Sequence, residues 1–392
     1  MQCHNATVSP LVLDAIHQLV EKERLSQSRL TQAVSDLSRL FTKERKELSR
    51  SYLEDPAAAT AYLSYFVPVN LSKVQVLLDE MPTDQTRERF SVLDVGSGPG
   101  TGSLAVLDWW HHRKHPGALT VAAVDSSQSA LTQATLLWNR YCHAGGILGA
   151  SFQSHKGDLE QAAWFAQVRP CAPFDVIILA NSLNELYAGA KDPIAARTNF
   201  LTEALSLLAP YGTMMILEPA LRETSRALHH VRDRLLQEKR CTVYSPCLHE
   251  NSCPALVNPY DWCHEERAWE PPASIRAIDK DVGFIKDALK FSYLLLRKDG
   301  KTIVERRLDV YRVVSELRNL KGEKRAWLCN EQGRQEIGRQ DRLVSSQNAA
   351  FDAWHRGAIV QIERIARKEK GGKVSMLGRI EQDAAVKMVR SA

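Results

Sequence analysis

Ser91-Val-Leu-Asp-Val-Gly-Ser-Gly-Pro-Gly-Thr-Gly102 reads as a buried strand that runs directly into a glycine turn and then a helix. Val92, Leu93 and Val95 have the unbroken apolar character of a strand covered on both faces, as a parallel sheet requires, and Asp94 interrupts them. Gly96, Gly98 and Gly100 admit positive φ and let the backbone approach a ligand closely, while Leu104 to Trp110 continue as a helix whose first N–H groups face the same crevice. The dinucleotide fingerprint is G-x-G-x-x-G. Here Pro99-Gly100 brings the third glycine one place earlier, so the spacing favours an S-adenosylmethionine pocket over an NAD pocket.

The residues downstream repeat the pattern. Leu119-Thr-Val-Ala-Ala-Val-Asp125 is a second buried strand ending in an acid, the place where a carboxylate accepts the ribose hydroxyls of an adenosine. Ser126, Ser127 and Ser129 open a helix over Ala130 to Tyr141, and Lys156-Gly-Asp158 supplies a third acid. Phe174-Asp-Val-Ile-Ile-Leu-Ala180 makes a further strand that ends at Asn181-Ser-Leu-Asn184, and Thr213 to Pro219 makes another. Strands alternating with helices predict an α/β doubly wound sheet with its ligand outside the strand C-termini. Asp94, Gly96, Gly98, Gly100, Asp125, Asp158 and Asn181 are the candidate cofactor contacts.

At 392 residues the chain predicts two or three units, and 44% apolar with 25% charged residues is the composition of a globular protein rather than a disordered one. No apolar run approaches membrane-spanning length, and Met1 to Ser26 has neither a signal-peptide core nor an arginine-rich, acid-poor transit pattern, so a cytoplasmic protein is expected. A net charge of +5 permits nucleic acid without demanding it. Before the glycine turn, Leu11, Leu13, Ile16, Leu19 and Val20, then Leu30, Val34, Leu37 and Leu40, recur at helical spacing. Asp55-Pro56 caps another helix. Lys43, Arg45, Lys46 and Arg50 are either a phosphate surface or a solvated helix face.

The second informative stretch is Ser245-Pro-Cys-Leu-His-Glu-Asn-Ser-Cys-Pro-Ala-Leu-Val-Asn-Pro-Tyr-Asp-Trp-Cys-His264. Three prolines leave it little secondary structure of its own, and thiolates in a reducing compartment more often bind metal than form disulfides. Spacing alone leaves three readings open. Zinc would use Cys247, Cys253 and Cys263 with His249 or His264; an iron–sulfur cluster would want a fourth cysteine, with Cys329 and Cys241 as candidates; the third reading has no metal.

Leu93 to Gly102, Asn181-Ser-Leu-Asn-Glu-Leu186, Ser245-Pro-Cys-Leu-His-Glu250 with Cys253-Pro254, and a late Leu-Cys-x-x-x-Gly element together resemble the methyltransferase-like family associated with the small ribosomal subunit. Its members occur in mitochondria and bacteria. The resemblance spans about residues 55 to 340. It implies a class I S-adenosylmethionine-dependent methyltransferase fold with a [4Fe-4S] cluster carried by Cys247, Cys253, Cys263 and Cys329. It also implies work on small ribosomal subunit assembly, with ribosomal RNA and ribosomal proteins as partners. It supplies no catalytic residue. Asn181, Asn184 and Glu185 are placed to contact cofactor or substrate, but there is no Asn-Pro-Pro-Tyr signature for amino methylation, and Cys142 and Cys171 do not sit where a nucleophile for carbon methylation is expected. A silent assembly platform, or a methyltransferase for another RNA or a protein, is the alternative.

The expected organisation is a helical region over 1–85, the cofactor-binding core over 86–240, a cysteine-rich metal-binding segment over 241–275 and the end of the core sheet over 276–308. A small β unit over 309–345 and a basic, partly helical tail over 346–392 follow, in a monomeric, membrane-free protein. Phe291 to Arg297 is the expected late strand. Arg318, Lys321, Lys324, Arg325 and Trp327, with Arg364, Arg367, Lys368, Lys370, Lys373 and Arg379, are candidates for RNA contact. His229-His230 is expected on the surface of a charged helix, and Trp109-Trp110 in packing rather than base stacking.

Overall fold

The computed structural model describes residues 7–23, 25–47, 52–82, 88–285, 287–370 and 373–391, with the side chains of 370, 373 and 374 left out; Arg50, Lys370 and Lys373 thus fall, wholly or by their side chains, outside the described residues. Among the described residues the chain forms two compact units. One runs to Leu221 and includes Ala268–Leu289; the other comprises Arg222–Arg267 and the chain from Lys290 onward.

The first unit is built on five parallel strands, β1 (Arg89–Val95), β2 (Ala118–Asp125), β3 (Ala150–Lys156), β4 (Phe174–Ala180) and β5 (Leu208–Pro219). They lie in the order β3-β2-β1-β4-β5. Val92, Leu93 and Val95 are fully buried, as a central strand covered on both faces must be. Chain order reverses between β1 and β4, so the crevice at the switch point opens at the carboxyl end of β1, where the glycine turn lies. The helices Thr101–His112, Gln128–Gly145 and Pro193–Ser206 connect the strands. Ser127 and Asp192 cap the latter two, their side chains accepting from the amides of Ala130 and Ala195. The expected N-terminal helices are Pro10–Val20, Gln27–Thr42 and Pro56–Ala61, the last capped by Asp55 with Pro56 at its first position. A fourth, Val67–Glu80, follows a π turn at Tyr62–Phe66. Trp109 and Trp110 are buried, and the indole of Trp109 donates to Asp79 at 2.7 Å.

One buried carboxylate ties four of these helices together. Asp108 accepts from Ser9, which caps the first helix, from Gln75 Nε2 at 2.6 Å and from Tyr141 OH at 2.7 Å. It is 3% exposed, so a charged group there is tolerable only because donors surround it.

The second unit begins with helix Arg222–Gln237 and the short strands β6 (Thr242–Ser245) and β7 (Glu265–Ala268), which both pair with β8 (Ala288–Arg297). The expected strand at Phe291 to Arg297 is therefore present. A second sheet follows, built from β9 (Val310–Val313), β10 (Arg318–Leu320), β11 (Glu323–Asn330), β12 (Gly333–Gln340), β13 (Ile359–Ile362), β14 (Ala366–Lys370), β15 (Lys373–Arg379) and β16 (Val386–Arg390). Its order is β14-β15-β12-β11-β9-β13-β16, with β10 paired to β11.

This corrects the reading of 346–392 as a basic, partly helical tail. Those residues complete the sheet begun at 310, and Phe351, Trp354, Val360, Ile362 and Ile380 share one core with Val313, Leu328 and Ile337. The charge run concealed the pattern: Lys368 and Lys387 are exposed on short strands, while Ile362, Ile380 and Val386 between such charges are buried.

Replacing Asp108 by alanine strands the Tyr141 hydroxyl in the core and removes the half-buried Gln75 amide's acceptor. A loss of about 1–3 kcal/mol for the buried hydroxyl is expected in unfolding free energy, measured by chemical denaturation.

Candidate functional site

The glycine turn is held from below and from the side by two acids. Asp94 is 1% exposed, and its Oδ2 accepts both the backbone N–H and the hydroxyl of Ser103, each at 2.7 Å. It thus fastens the first turn of helix Thr101–His112 to the end of β1. Burial pushes its carboxyl up to about 6, against the pull of the Ser103 bonds. Asp125, at the end of β2, accepts from Gly98 N and Ser127 N, each at 2.8 Å. Burial likewise raises its carboxyl, and the backbone amides oppose that shift.

The three glycines do different work. A Cβ on Gly96 would stand 2.4 Å from Cβ of Ser182, and one on Gly100 would stand 2.8 Å from Cβ of Ala134, so these two permit close packing. Around Gly98 nothing lies within 4 Å of such a Cβ; its φ of +51° holds the turn against open space. Asp158 is exposed in the turn after β3, where its side chain accepts from Glu160 N at 3.0 Å. Asn181 follows β4 in the left-handed region at φ 64°, and its N–H donates to Leu217 O at 2.7 Å.

Beyond Asn181 the chain folds onto a buried acid that the sequence did not single out. Glu218, at the end of β5 and 1% exposed, accepts from Asn184 N at 3.2 Å. Its Oε2 has no hydrogen-bond partner among the described residues, and burial raises its carboxyl to about 8. Arg197 donates to the carbonyls of Leu186 at 2.9 Å and Asn184 at 2.8 Å, and Arg45 donates to the Asn184 side chain. Arg45, read as a phosphate candidate or a solvated residue, is thus turned inward. Phe41, Tyr52, Tyr62 and Phe66 pack as an aromatic wall with ring centroids 5.1–6.1 Å apart. The Tyr52 and Tyr62 hydroxyls are raised by burial first, and also by the negative charge of Glu185 and Asp125.

In the second unit Cys247, Cys253, Cys263 and Cys329 line one cavity, together with Leu248 and Val313. The first three lie on the proline-rich stretch and the fourth on β11, so only the folded chain unites them. Burial first, then the neighbouring cysteines, raises the thiols of Cys253 and Cys329, and Cys263 is pushed up to about 11. Arg232 opposes the rise at Cys253 and Cys329, while Arg334 and Arg356 oppose it at Cys263. Cys241 does not line this cavity. Among the described residues no group of three or more His, Cys, Asp or Glu side chains converges closely enough to hold a single metal ion.

The histidines serve the loop's own structure. His249 sets Nδ1 3.1 Å from Asn251 O and Nε2 3.6 Å from Cys329 Sγ, and His229 sets Nε2 3.1 Å from Cys263 O. Burial lowers both, and His264, to about 4, so the rings are neutral. His229 is 2% exposed, which overturns its expected place on the surface, whereas His230 is exposed. A single guanidinium organises the far side of the loop: Arg226 donates to the carbonyls of Ala255, Leu256, Asn258 and Asp261 at 2.8–3.2 Å.

Most basic residues considered for RNA contact are engaged within the chain. Lys324 donates to Asp352 at 2.6 Å and Arg364 to Asp383 at 2.5 Å; Arg318 pairs with Glu336, and Arg325 and Arg379 with Glu323. Trp327 lies beneath the Arg334 guanidinium, 4.8 Å from the ring centroid. Lys321 and Lys368 are exposed.

Glu218 makes a pH prediction. Its folded carboxyl, at about 8, lies above the ordinary value of 4.5, so the folded state holds the proton more tightly. The stability it contributes is complete below pH 4.5 and is lost as pH rises through about 8. Denaturation series across that window should show a falling free energy of unfolding, and Glu218→Gln should flatten the slope.

The chain is similar to several solved methyltransferase structures. An O-methyltransferase family protein from Burkholderia thailandensis is 18% identical, with 74% of this chain and 72% of that chain covered and a TM-score of 0.35. A Listeria monocytogenes protein classed with the class I S-adenosylmethionine-dependent methyltransferases is 12% identical, covering 76% and 88%, with a TM-score of 0.39. The CurJ carbon methyltransferase is 15% identical, covering 74% and 72%, with a TM-score of 0.34. No curated protein matches the chain. The parallel sheet in the order β3-β2-β1-β4-β5, with its glycine turn at the switch point, has the class I methyltransferase fold. The family described as mitochondrial small ribosomal subunit Rsm22 matches residues 56–346, a span that takes in the glycine turn, Glu218 and all four cysteines, and the chain belongs to that family.

Proposed function

We propose that this protein binds S-adenosylmethionine at the glycine turn, carries a [4Fe-4S] cluster on Cys247, Cys253, Cys263 and Cys329, and acts on the ribosomal RNA of the small subunit or in its assembly. Ribosomal RNA and ribosomal proteins are the partners. The observation that carries the reading is the meeting of four cysteines from two separate elements around one cavity, in a chain of a small-subunit family.

The donor set fits a cluster better than a single ion. A cubane presents four corners, so its thiolate ligands stand farther apart than those around one zinc, and among the described residues no three ligands converge as a single ion requires. Clustered thiols raised by burial need a strong positive charge to ionise, and binding would release their protons. Arg232, Arg334 and Arg356 supply positive charge in keeping with an anionic centre.

In the first unit Asp125 is the candidate for the ribose hydroxyls, the backbone of Gly96, Gly98 and Gly100 lets the cofactor approach, and Asp94, Asp158 and Asn181 complete the set. The bound cofactor would supply an already activated methyl group on its sulfonium, so the chain's contribution is to orient and to exclude water.

A second reading, a silent RNA-binding platform, draws support from Asn184. Its side chain is engaged by Arg45 and its amide by Glu218, leaving the turn after β4 occupied by its own protein rather than open to a target. Methylation assays on small-subunit precursors separate the two: cofactor binding with turnover supports the enzyme, and binding without turnover supports the platform.

Protein purified without oxygen should contain about four iron and four sulfide per chain, and Cys253→Ser should lose most of that iron. One zinc per chain, or no metal, would overturn the cluster. In titration calorimetry Asp125→Ala should lower cofactor affinity by about tenfold or more, the effect of about 1.4 kcal/mol, with the unfolding transition retained. An unchanged affinity would remove Asp125 from the site.

A further inference from the structure

Arg232 is the most deeply buried cation near the cysteine cavity, its side chain 0% exposed on helix Arg222–Gln237. It reaches across to the stretch that joins Cys247 to Cys253. One terminal nitrogen donates to Asn251 O at 2.8 Å and to Asp233 Oδ1 at 2.5 Å, and the other donates to His249 O at 2.6 Å. The next residue completes the hold: Asp233 Oδ2 accepts from Cys253 N at 2.9 Å. Two consecutive side chains thus clamp three backbone groups of the segment that carries two of the four cysteines.

This arrangement is costly for a fold alone. Burying a guanidinium against a half-buried carboxylate carries a desolvation cost that the pair's attraction barely returns, and well-packed apolar residues in such positions are often as stable or more so. The guanidinium Nε is left without a hydrogen-bond partner among the described residues, so the pair is not fully compensated by its surroundings. A buried cation that fixes the backbone joining two cysteines is suited to orienting an anionic centre held on those sulfurs.

We infer that Arg232 is a positioning and charge-balancing residue for an anionic metal–thiolate centre at Cys247 and Cys253, with Asp233 as its backbone clamp. The inference rests on the cluster proposed above. It makes Arg232 a determinant of how firmly the centre is held and of its reduction potential, because a nearby positive charge favours the more negative, reduced state of the centre.

The test compares the full-length protein with Arg232→Lys and Arg232→Gln, each reconstituted with iron and sulfide without oxygen. Iron retention against a chelator, the midpoint potential from an optical redox titration, and the melting temperature of the metal-free form are measured. Arg232→Gln should lose iron severalfold faster and shift the midpoint to more negative values. Arg232→Lys, which keeps the charge but not the planar fork, should hold the potential close to that of the parent while releasing iron at an intermediate rate. Should Arg232→Gln fail to fold, the lysine variant decides: parental iron release, or a potential that shifts despite the retained charge, overturns the inference. Parental iron release and potential in a folded Arg232→Gln overturn it too, as does a lowered metal-free melting temperature with both unchanged, which would make Arg232 purely structural. If the parent itself takes up no iron, the cluster reading fails and the inference falls with it; if the parent loads and the variants match it, only the inference fails.

Discussion

The carboxylate of Asp94 is the constraint on which the first unit's crevice depends. It is buried at the end of β1 and accepts the amide and hydroxyl of Ser103, so the strand, the glycine turn and the helix beyond it share one fixed joint. Gly102 is pressed against it: a Cβ there would meet Asp94 Oδ1 at 2.8 Å. With that joint fixed, Asp125 can reach across from β2 to Gly98 N, and the turn is held between two strand ends. Asp94 therefore shapes the crevice from beneath, while Asp125 stands at its edge.

The second unit solves a different problem by similar means. A proline-rich loop has few backbone hydrogen bonds of its own, and buried or partly buried arginines replace them. Arg226 gathers four carbonyls and Arg232 two, each using the planar fork that lysine lacks. Arg312, on β9, does likewise toward β7 and β8, bonding Glu265 at 2.6 Å and Tyr293 OH at 2.9 Å. Guanidinium groups thus brace the walls of the cysteine cavity.

Much of the first unit was legible in the sequence because its signals are local. Buried parallel strands read as apolar runs, helix starts carry Ser or Asp caps, and Asp94 and Asp125 close strands at positions the fold requires. Glu218 was not legible: an acid after Leu217 looks like a strand end, and only packing against Asn184 and Arg197 buries it. The last strands were missed because their many basic residues dominate the composition, hiding the few apolar positions, among them Val360, Ile362 and Val386, that enter a core only when the sheet pairs. His229 looked like surface because its helix is strongly charged, and the loop that covers it comes later in the chain.

The alternation of strands and helices, the glycine turn with its two acids, and a family likeness that named four cysteines can all be read from the chain's residues in order. Those are properties of residue type and near-neighbour spacing, which act over one strand or one turn of helix. Folding is what brings Cys329 to one cavity with the three loop cysteines, closes Arg45 and Glu218 on the turn after β4, and sets Arg232 against the backbone of the cysteine loop. Those contacts join residues far apart in the chain. Their energies depend on burial and on which charges share a low-dielectric space, and neither exists until the chain has folded.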